Sequence, residues 1–313
     1  MITGIVVVSY HNAEGTSGYV TEQLARLSDD YRVVVVAVDA DEGYGRKLAT
    51  DCGLTYVEEP GQTAEHSRGW CIAAAENLGY ARGNNLGVAV LKASGMVFGA
   101  YLFSNDDIEI MSADMLARLW TSMGQDCGAA GIGPRVVGLD GNDQSPHMRY
   151  ISPWRQMGWK LFAFLRKGHK NSVVYGGNDT HSVAEVSKAR LAQRTTVQAM
   201  ELAGPKAPAG GKCYWVSGAF MMVRADRFEA VGGFDPRTFL YFEEVILAER
   251  FMRYGWHFAF EPSVAVVHYE GGSTTVKSSW RNAIEMESKM LYYREYKYVN
   301  AALLWLYKLI DRF

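Results

Sequence analysis

The apolar positions of the chain gather first into short, near-continuous runs. Ile5-Val6-Val7-Val8 and the stretch from Val33 to Val38 are rich in valine, the pattern of parallel strands covered by helices on both faces. Between them Tyr19 to Leu27 predicts a helix. Leu54 to Val57, Tyr80 to Lys92 and Gly99 to Ser104 continue as a weak strand, a helix and a strand. This alternation predicts an α/β fold: a doubly wound, mostly parallel sheet flanked by helices, with a nucleotide-binding half over residues 1–130. In such sheets ligands sit beyond the carboxyl ends of the strands, so chemistry is expected just after each strand.

Between residues 140 and 212 the rhythm breaks into turn-forming clusters such as Asp140-Gly141-Asn142-Asp143 and Gly204-Pro205-Lys206-Ala207-Pro208, which mark an insertion. Regularity returns with a strand over Tyr214 to Val223, a Gly232-Gly233 turn, a helix from Glu243 to Tyr254 closed by Gly255, and a strand over Val264 to His268. Residues 131–275 are therefore expected to form the second half of one domain, and residues 276–313 an amphipathic helical extension.

Composition narrows the function. Apolar residues make up 48% of 313, enough for a sizeable core, which excludes a disordered chain. The net charge of -2 offers no general attraction to phosphates, so no nucleic-acid partner is expected and any anion must be held by a local site. Cys52, Cys71, Cys127 and Cys213 form no CxxC pair, against zinc and against a disulfide scaffold; reduced thiols in a cytoplasm are the expectation. The first strand is reached without a basic leader, so export is not expected. The apolar run from Ala301 to Ile310, broken by Lys308, is about half of the roughly 20 residues a spanning helix needs.

Two segments carry candidate chemistry. Asn105-Asp106-Asp107 follows an apolar strand and places two carboxylates at the sheet's carboxyl edge, where hard oxygen ligands suit Mg²⁺ or Mn²⁺ on a diphosphate; the same tripeptide also suits a plain turn. Asn77 to Gly87 packs glycines and asparagines around a helix start, where free N–H groups and Arg82 can meet a diphosphate. Its structural alternative is tight helix packing and capping.

Asn77 to Gly87 followed by Asn105-Asp106-Asp107 resembles family 2 glycosyltransferases, which have the GT-A fold. The order continues through Gly232-Gly233-Phe234-Asp235-Pro236, Phe239 to Glu244, Arg250, Gly255 and His268-Tyr269-Glu270-Gly271-Gly272-Ser273, nearest to the rhamnosyltransferase-like members. The resemblance covers roughly residues 2 to 275. It implies that Ser9, Tyr10 and Asp39 hold the donor's nucleoside, that Asp106 faces its ribose or diphosphate beside the Gly79 and Arg82 segment, and that Asp107 and His268 hold Mg²⁺ or Mn²⁺. Glu244 would be the general base of an inverting transfer, with Glu243 in support. The chain departs from the family at His11, where an asparagine is usual, at Glu244, usually an aspartate, and at Ile246, usually an acid.

Trp215 offers an acceptor sugar an indole platform or, equally, packs in the core. The tail mixes Trp280, Tyr292, Tyr293, Tyr296, Tyr298, Trp305 and Tyr307 with basic residues, which suits peripheral contact with a membrane carrying a lipid-linked acceptor, packing on the domain, or a second subunit in a homo-oligomer. The expected reaction moves a hexose or deoxyhexose from a UDP or dTDP sugar to a glycan or lipid-linked acceptor for surface polysaccharide. The alternatives are a scaffold that binds a nucleotide sugar without turnover, and a sugar nucleotidyltransferase, whose usual basic loop is absent at His11 to Gly15.

Overall fold

The computed structural model describes residues 2–63, 67–148, 152–156, 158, 210–269 and 278–311. The elements of the first half are β1 (Thr3–Tyr10), α1 (Ala13–Gly18), β2 (Tyr31–Val38), α2 (Glu42–Cys52), β3 (Thr55–Val57), β4 (Gly69–Ala74), α3 (Gly79–Ala93), β5 (Ala100–Ser104), β6 (Ile108–Ile110) and α4 (Met115–Gln125). Then follow β7 (Ala129–Gly138), β8 (Asp143–Ser145), β9 (Gly211–Cys213), β10 (Phe220–Arg224), α5 (Ala225–Ala230), α6 (Glu243–Arg253), β11 (His257–His268), α7 (Ser278–Glu295) and α8 (Ala301–Asp311). Most of the expected insertion, and Glu270 to Ser273, lie outside the described residues.

One sheet runs β3-β4-β2-β1-β5-β10-β7-β11-β6, with β8 added to β7 and β9 to β11. It is parallel from β3 to β5; β10 then enters antiparallel between β5 and β7. The valine runs are explained by burial on both faces. Ile5, Val7, Val33 and Val35 pack with Leu24, Leu48, Met115 and Leu119, while Val6, Val34 and Val36 pack with Val88, Leu91, Phe228 and Leu247. Helix α3 crosses β1 at close range because of its glycines: a Cβ at Gly87 would lie 2.3 Å from Val6 Cγ1. The glycines of this segment thus serve packing as well as any ligand.

Some boundaries differ from the sequence pattern for physical reasons. The helix expected over Tyr19 to Leu27 begins earlier, as α1, and continues through a π-helical turn (Tyr19–Gln23) and a 3-10 turn (Leu24–Arg26). The strand expected from Tyr214 to Val223 is split: Phe220 N–H turns back to the Ser217 carbonyl, so only Phe220–Arg224 joins the ladder, while Trp215 makes a separate bridge to His147.

The helical tail shares a core with α6. Val245 and Ile246 pack with Tyr292, Tyr293, Tyr296 and Tyr307, all buried, so these tyrosines are interior residues and are not available to a membrane. Trp305, Leu306 and Leu309 stay exposed on α8. Among the described residues no helix is long and apolar enough to cross a membrane.

Candidate active site

The carboxyl edge of β5 is where the acidic residues converge. Asn105 N–H donates to the Ala219 carbonyl at 2.9 Å, which ties the end of β5 to the start of β10. Asp106 turns inward toward α1: its Oδ2 accepts from Thr16 Oγ1 at 2.6 Å and from Asn12 Nδ2 at 3.0 Å. Burial raises the Asp106 carboxyl to about 6, against the lowering effect of the Thr16 bond, and the neighbouring Asp107 charge adds to the rise.

Asp107 turns the other way. Strand β6 pairs antiparallel with β11, matching Ile108 to His268, and Tyr269 N–H donates to the Asp107 carbonyl. This register brings His268 Nε2 to 3.3 Å from Asp107 Oδ1, with both side chains largely buried. Asn105 Nδ2 lies 3.3 Å from the same nitrogen, and His268 Nδ1 lies 2.8 Å from Gln144 Oε1.

This donor set suits a hard divalent cation. Neighbouring ligands of an octahedral ion at about 2.1 Å lie about 3 Å apart, close to the Asp107–His268 spacing, and Mg²⁺-type sites commonly take one or two protein ligands and complete their shell with substrate phosphates and water. Among the described residues no group of three or more His, Cys, Asp or Glu side chains gathers as a closed cage. Asp107 and His268 would therefore need the ligand's own oxygens.

The second acidic group stands at the start of α6. Tyr241 and Phe242 both adopt positive φ, 72° and 70°, a left-handed backbone that costs side-chain-bearing residues of order 1–3 kcal/mol each and is tolerated where the surroundings enforce it. The bend sends Glu243 and Glu244 in different directions. Glu243 is buried and its Oε1 meets no partner among the described residues, whereas Glu244 is partly exposed and its Oε1 accepts from Gly218 N–H at 2.9 Å. Tyr80, in the first turn of α3, donates to the Gly218 carbonyl at 2.8 Å. Burial raises both carboxyls, and the charge on Glu244 pushes Glu243 up further, while the Gly218 bond offsets part of the rise at Glu244. Two carboxyls so close and so buried resist carrying two negative charges at once.

The remaining sequence candidates are distributed as follows. Ser9 is fully buried and bonded to Thr16, so it supports Asp106 from below; direct contact with a ligand is excluded by its burial. Gly79 has a φ of 64° and a missing Cβ that would lie 2.2 Å from the Phe239 carbonyl, so it serves the close approach of α3 to the segment before α6 and is not open to a ligand. Tyr10 is half-buried at the end of β1, its ring 4.4 Å from that of His11. Asp41 caps α2, accepting from Tyr44 N–H at 2.7 Å, which leaves Asp39 to bond His11 Nε2 at 2.9 Å. His11 and Asp39 are exposed and both have positive φ, 49° and 54°. Arg82 is exposed and paired with Glu76 at 3.1 Å. Trp215 lies flat on His147, with ring centroids 3.5 Å apart, so one face of the indole is taken. Thr16, Gly218 and Gln144, absent from the sequence candidates, touch the site directly; each is brought there by a contact between segments far apart in the chain.

Comparison with known proteins bears on the fold and on part of the sequence. No family model matches the chain. Over 103 residues it is 35% identical to the N-acetylglucosaminyl-diphospho-decaprenol L-rhamnosyltransferase of Mycobacterium tuberculosis, a match spanning 33% of this chain and 32% of that enzyme, and found in two strains. Among solved structures it superposes on a mannosyltransferase of Pyrobaculum calidifontis in complex with GDP-Man and Mn²⁺, with a TM-score of 0.52 at 13% identity, covering 99% of this chain and 68% of that one. A second, GalNAc-T7 with UDP, GalNAc and Mn²⁺, gives 0.51 at 13% identity over 99% of this chain and 54% of the other. The chain thus has the GT-A fold, and over about a third of its length it is related in sequence to a rhamnosyltransferase.

Proposed function

We propose that this chain is a family 2 glycosyltransferase that uses a nucleoside-diphosphate sugar and inverts the anomeric carbon. The observation that carries the reading is the convergence at one sheet edge of two unlike acidic sites, Asp106-Asp107 with His268 after β5, and Glu244 held by Gly218 at the start of β10. The first suits a diphosphate and its cation; the second is a partly exposed carboxyl held by a backbone N–H, with its pKa raised by burial, which suits a general base.

In this reading Tyr10, Asp39 and Arg82 meet the donor, and Asp106, anchored by Thr16 and Asn12, faces its ribose or diphosphate. Asp107 and His268 hold the Mn²⁺ or Mg²⁺, and the chemistry such an ion supplies is neutralisation of the charge that develops on the departing diphosphate. Glu244 takes the proton from the acceptor hydroxyl as that oxygen attacks opposite the leaving group, which inverts the carbon in one displacement. Glu243, buried beside it, supports the base from the same turn, and burial favours its acid form.

The acceptor is proposed to be a glycan or a lipid-linked glycan, supported by the lipid-linked acceptor in the name of the mycobacterial relative. The Trp215–His147 stack is proposed to meet it, and exposed Trp305, Leu306 and Leu309 on α8 suit peripheral contact with the membrane carrying it from the cytoplasmic side. UDP or dTDP is the proposed nucleotide.

The test is thermal stability against UDP, dTDP, GDP and CMP, each with Mn²⁺ and with EDTA, since a ligand that binds only the folded state raises the melting temperature. A shift for one nucleoside diphosphate that requires Mn²⁺ is expected. No shift with any of them, in folded protein, would refute the reading.

A further inference from the structure

We propose that Gln144 is a positioning residue that aims His268 at the cation, an inference that rests on the glycosyltransferase reading of the Asp107–His268 site. A neutral imidazole carries one proton on one of two nitrogens, and a ligand nitrogen must be the bare one. The Gln144 carbonyl oxygen lies 2.8 Å from His268 Nδ1 and can only accept, so the contact is a hydrogen bond when the proton is on Nδ1, the tautomer it selects. The lone pair of Nε2 is then left pointing to the side where Asp107 Oδ1 stands, 3.3 Å away, and where Asn105 Nδ2 approaches as a donor. A carbonyl or carboxylate on the far nitrogen of a ligating histidine fixes its tautomer and ring orientation, and losing it typically weakens metal affinity 10–100-fold.

The surrounding strands are arranged for this contact. His268 ends β11, where it pairs with Gly138 of β7 on one side and Ile108 of β6 on the other. Strand β8 folds back on β7 and carries Gln144 across Gly138, and a Cβ at Gly138 would lie 2.6 Å from Gln144 Nε2, so the glycine is what admits the amide. The hairpin is held at both ends. Arg135 Nε donates to Asp143 Oδ1 at 2.6 Å, and Ser145 Oγ accepts from Ser217 N–H at 3.3 Å, two residues before the Ala219 carbonyl that holds Asn105. Gln144 is the extra residue of a bulge, set between Asp143 opposite Val137 and Ser145 opposite Val136, so both of its neighbours are held in the ladder.

The experiment uses the full chain and two independent readouts. Long-range ¹H–¹⁵N NMR of the metal-free wild type is expected to show His268 protonated at Nδ1, and Gln144→Leu to shift the population toward Nε2–H. Calorimetry with Mn²⁺ in the presence of UDP is expected to give about 10–100-fold weaker Mn²⁺ binding for Gln144→Leu and near wild-type binding for Gln144→Glu, whose carboxylate also accepts from Nδ1–H. His268→Ala serves as the reference. If it abolishes Mn²⁺ binding while Gln144→Leu binds as the wild type does, the Gln144 inference is overturned and the metal reading stands. If His268→Ala binds Mn²⁺ as tightly as the wild type, the metal reading fails and takes the inference with it. Should Gln144→Leu fail to fold, the wild-type tautomer and the Gln144→Glu affinity still decide: Nε2–H in the wild type overturns the proposal.

Discussion

Replacing Gly218 by alanine should disable Glu244, the proposed base, while leaving the fold and donor binding in place. The new Cβ would stand 2.2 Å from Glu244 Oε1 and 2.9 Å from Tyr80 Oη. An ordinary contact needs about 3.4 Å, so the carboxylate must withdraw by about 1.2 Å, and its 2.9 Å bond to the Gly218 N–H is lost. No left-handed φ is involved at Gly218 and the crowded groups are ends of side chains, so the fold is retained at a cost of about 1–3 kcal/mol for the buried N–H left without its acceptor. A displacement of about 1 Å in a reacting group costs on the order of 100-fold, about 2.7 kcal/mol of barrier. The assay is steady-state release of the nucleoside diphosphate from the donor identified by the thermal shifts, with melting temperature and donor KM measured on the same samples. Expected are a kcat about 100-fold lower, an unchanged donor KM, and no further loss when Gly218→Ala is added to Glu244→Gln, because both act on one carboxylate. A normal kcat, or losses that multiply in the double variant, would refute the reasoning.

Further expectations concern the same elements. Glu243 is raised by burial from 4.5 to about 8, so the fold favours its acid form: its contribution is fully present below pH 4.5 and is lost as pH rises toward 8, at up to about 1.4 kcal/mol per unit. Urea denaturation at pH 5 and pH 8 should therefore show wild-type stability falling with pH and Glu243→Gln falling less steeply; parallel slopes would count against the buried acid. Gly79→Ala should cost about 2–3 kcal/mol, from a left-handed φ worth about 1–2 kcal/mol plus the Tyr80 N–H bond to the crowded Phe239 carbonyl, worth about 1 kcal/mol. A loss under about 1 kcal/mol by urea denaturation would mean that the segment before α6 yields freely. Asp107→Ala should abolish Mn²⁺-dependent donor binding in calorimetry with the melting temperature of the free protein retained, and unchanged affinity would remove the metal assignment.

The sheet was legible because both its faces are buried, which leaves valine runs that no other element mimics. Strand β4 was not, since Gly69-Trp70-Cys71-Ile72-Ala73-Ala74 has little β-branched content and is fixed by pairing with β2 and β3. Of the site, Asp106, Asp107 and His268 were visible as polar residues ending apolar strands. Their different surroundings were not, because Asp106 is bonded by Thr16 of α1 and by Asn12 just before it, and Asp107 meets His268 of a strand distant in the chain through the register of β11 with β6. Gly218 and Gln144 carry no local mark at all. Each matters through one long-range hydrogen bond, and a single glycine or glutamine in a turn-rich stretch is the commonest sight in any sequence.

The departures at Glu244 and Ile246 have a joint explanation in the tail. Ile246 is fully buried against the cluster that holds Tyr292, Tyr293 and Tyr307, so an acid there would face the core that docks α7 and α8. The same docking grips α6 from its other end: Arg250 donates to Tyr296 Oη and to the Gly233 carbonyl, while Asp235 accepts from Tyr296 and bidentately from Arg237. Those partners hold the Asp235 carboxyl well below its usual range despite its burial, so the link is charged and directional. Helix α6 is therefore set by the tail as much as by the sheet. That allows its first turn to carry the strained Tyr241-Phe242 bend and the longer glutamate arm, because Gly218 supplies the N–H that receives the end of that arm.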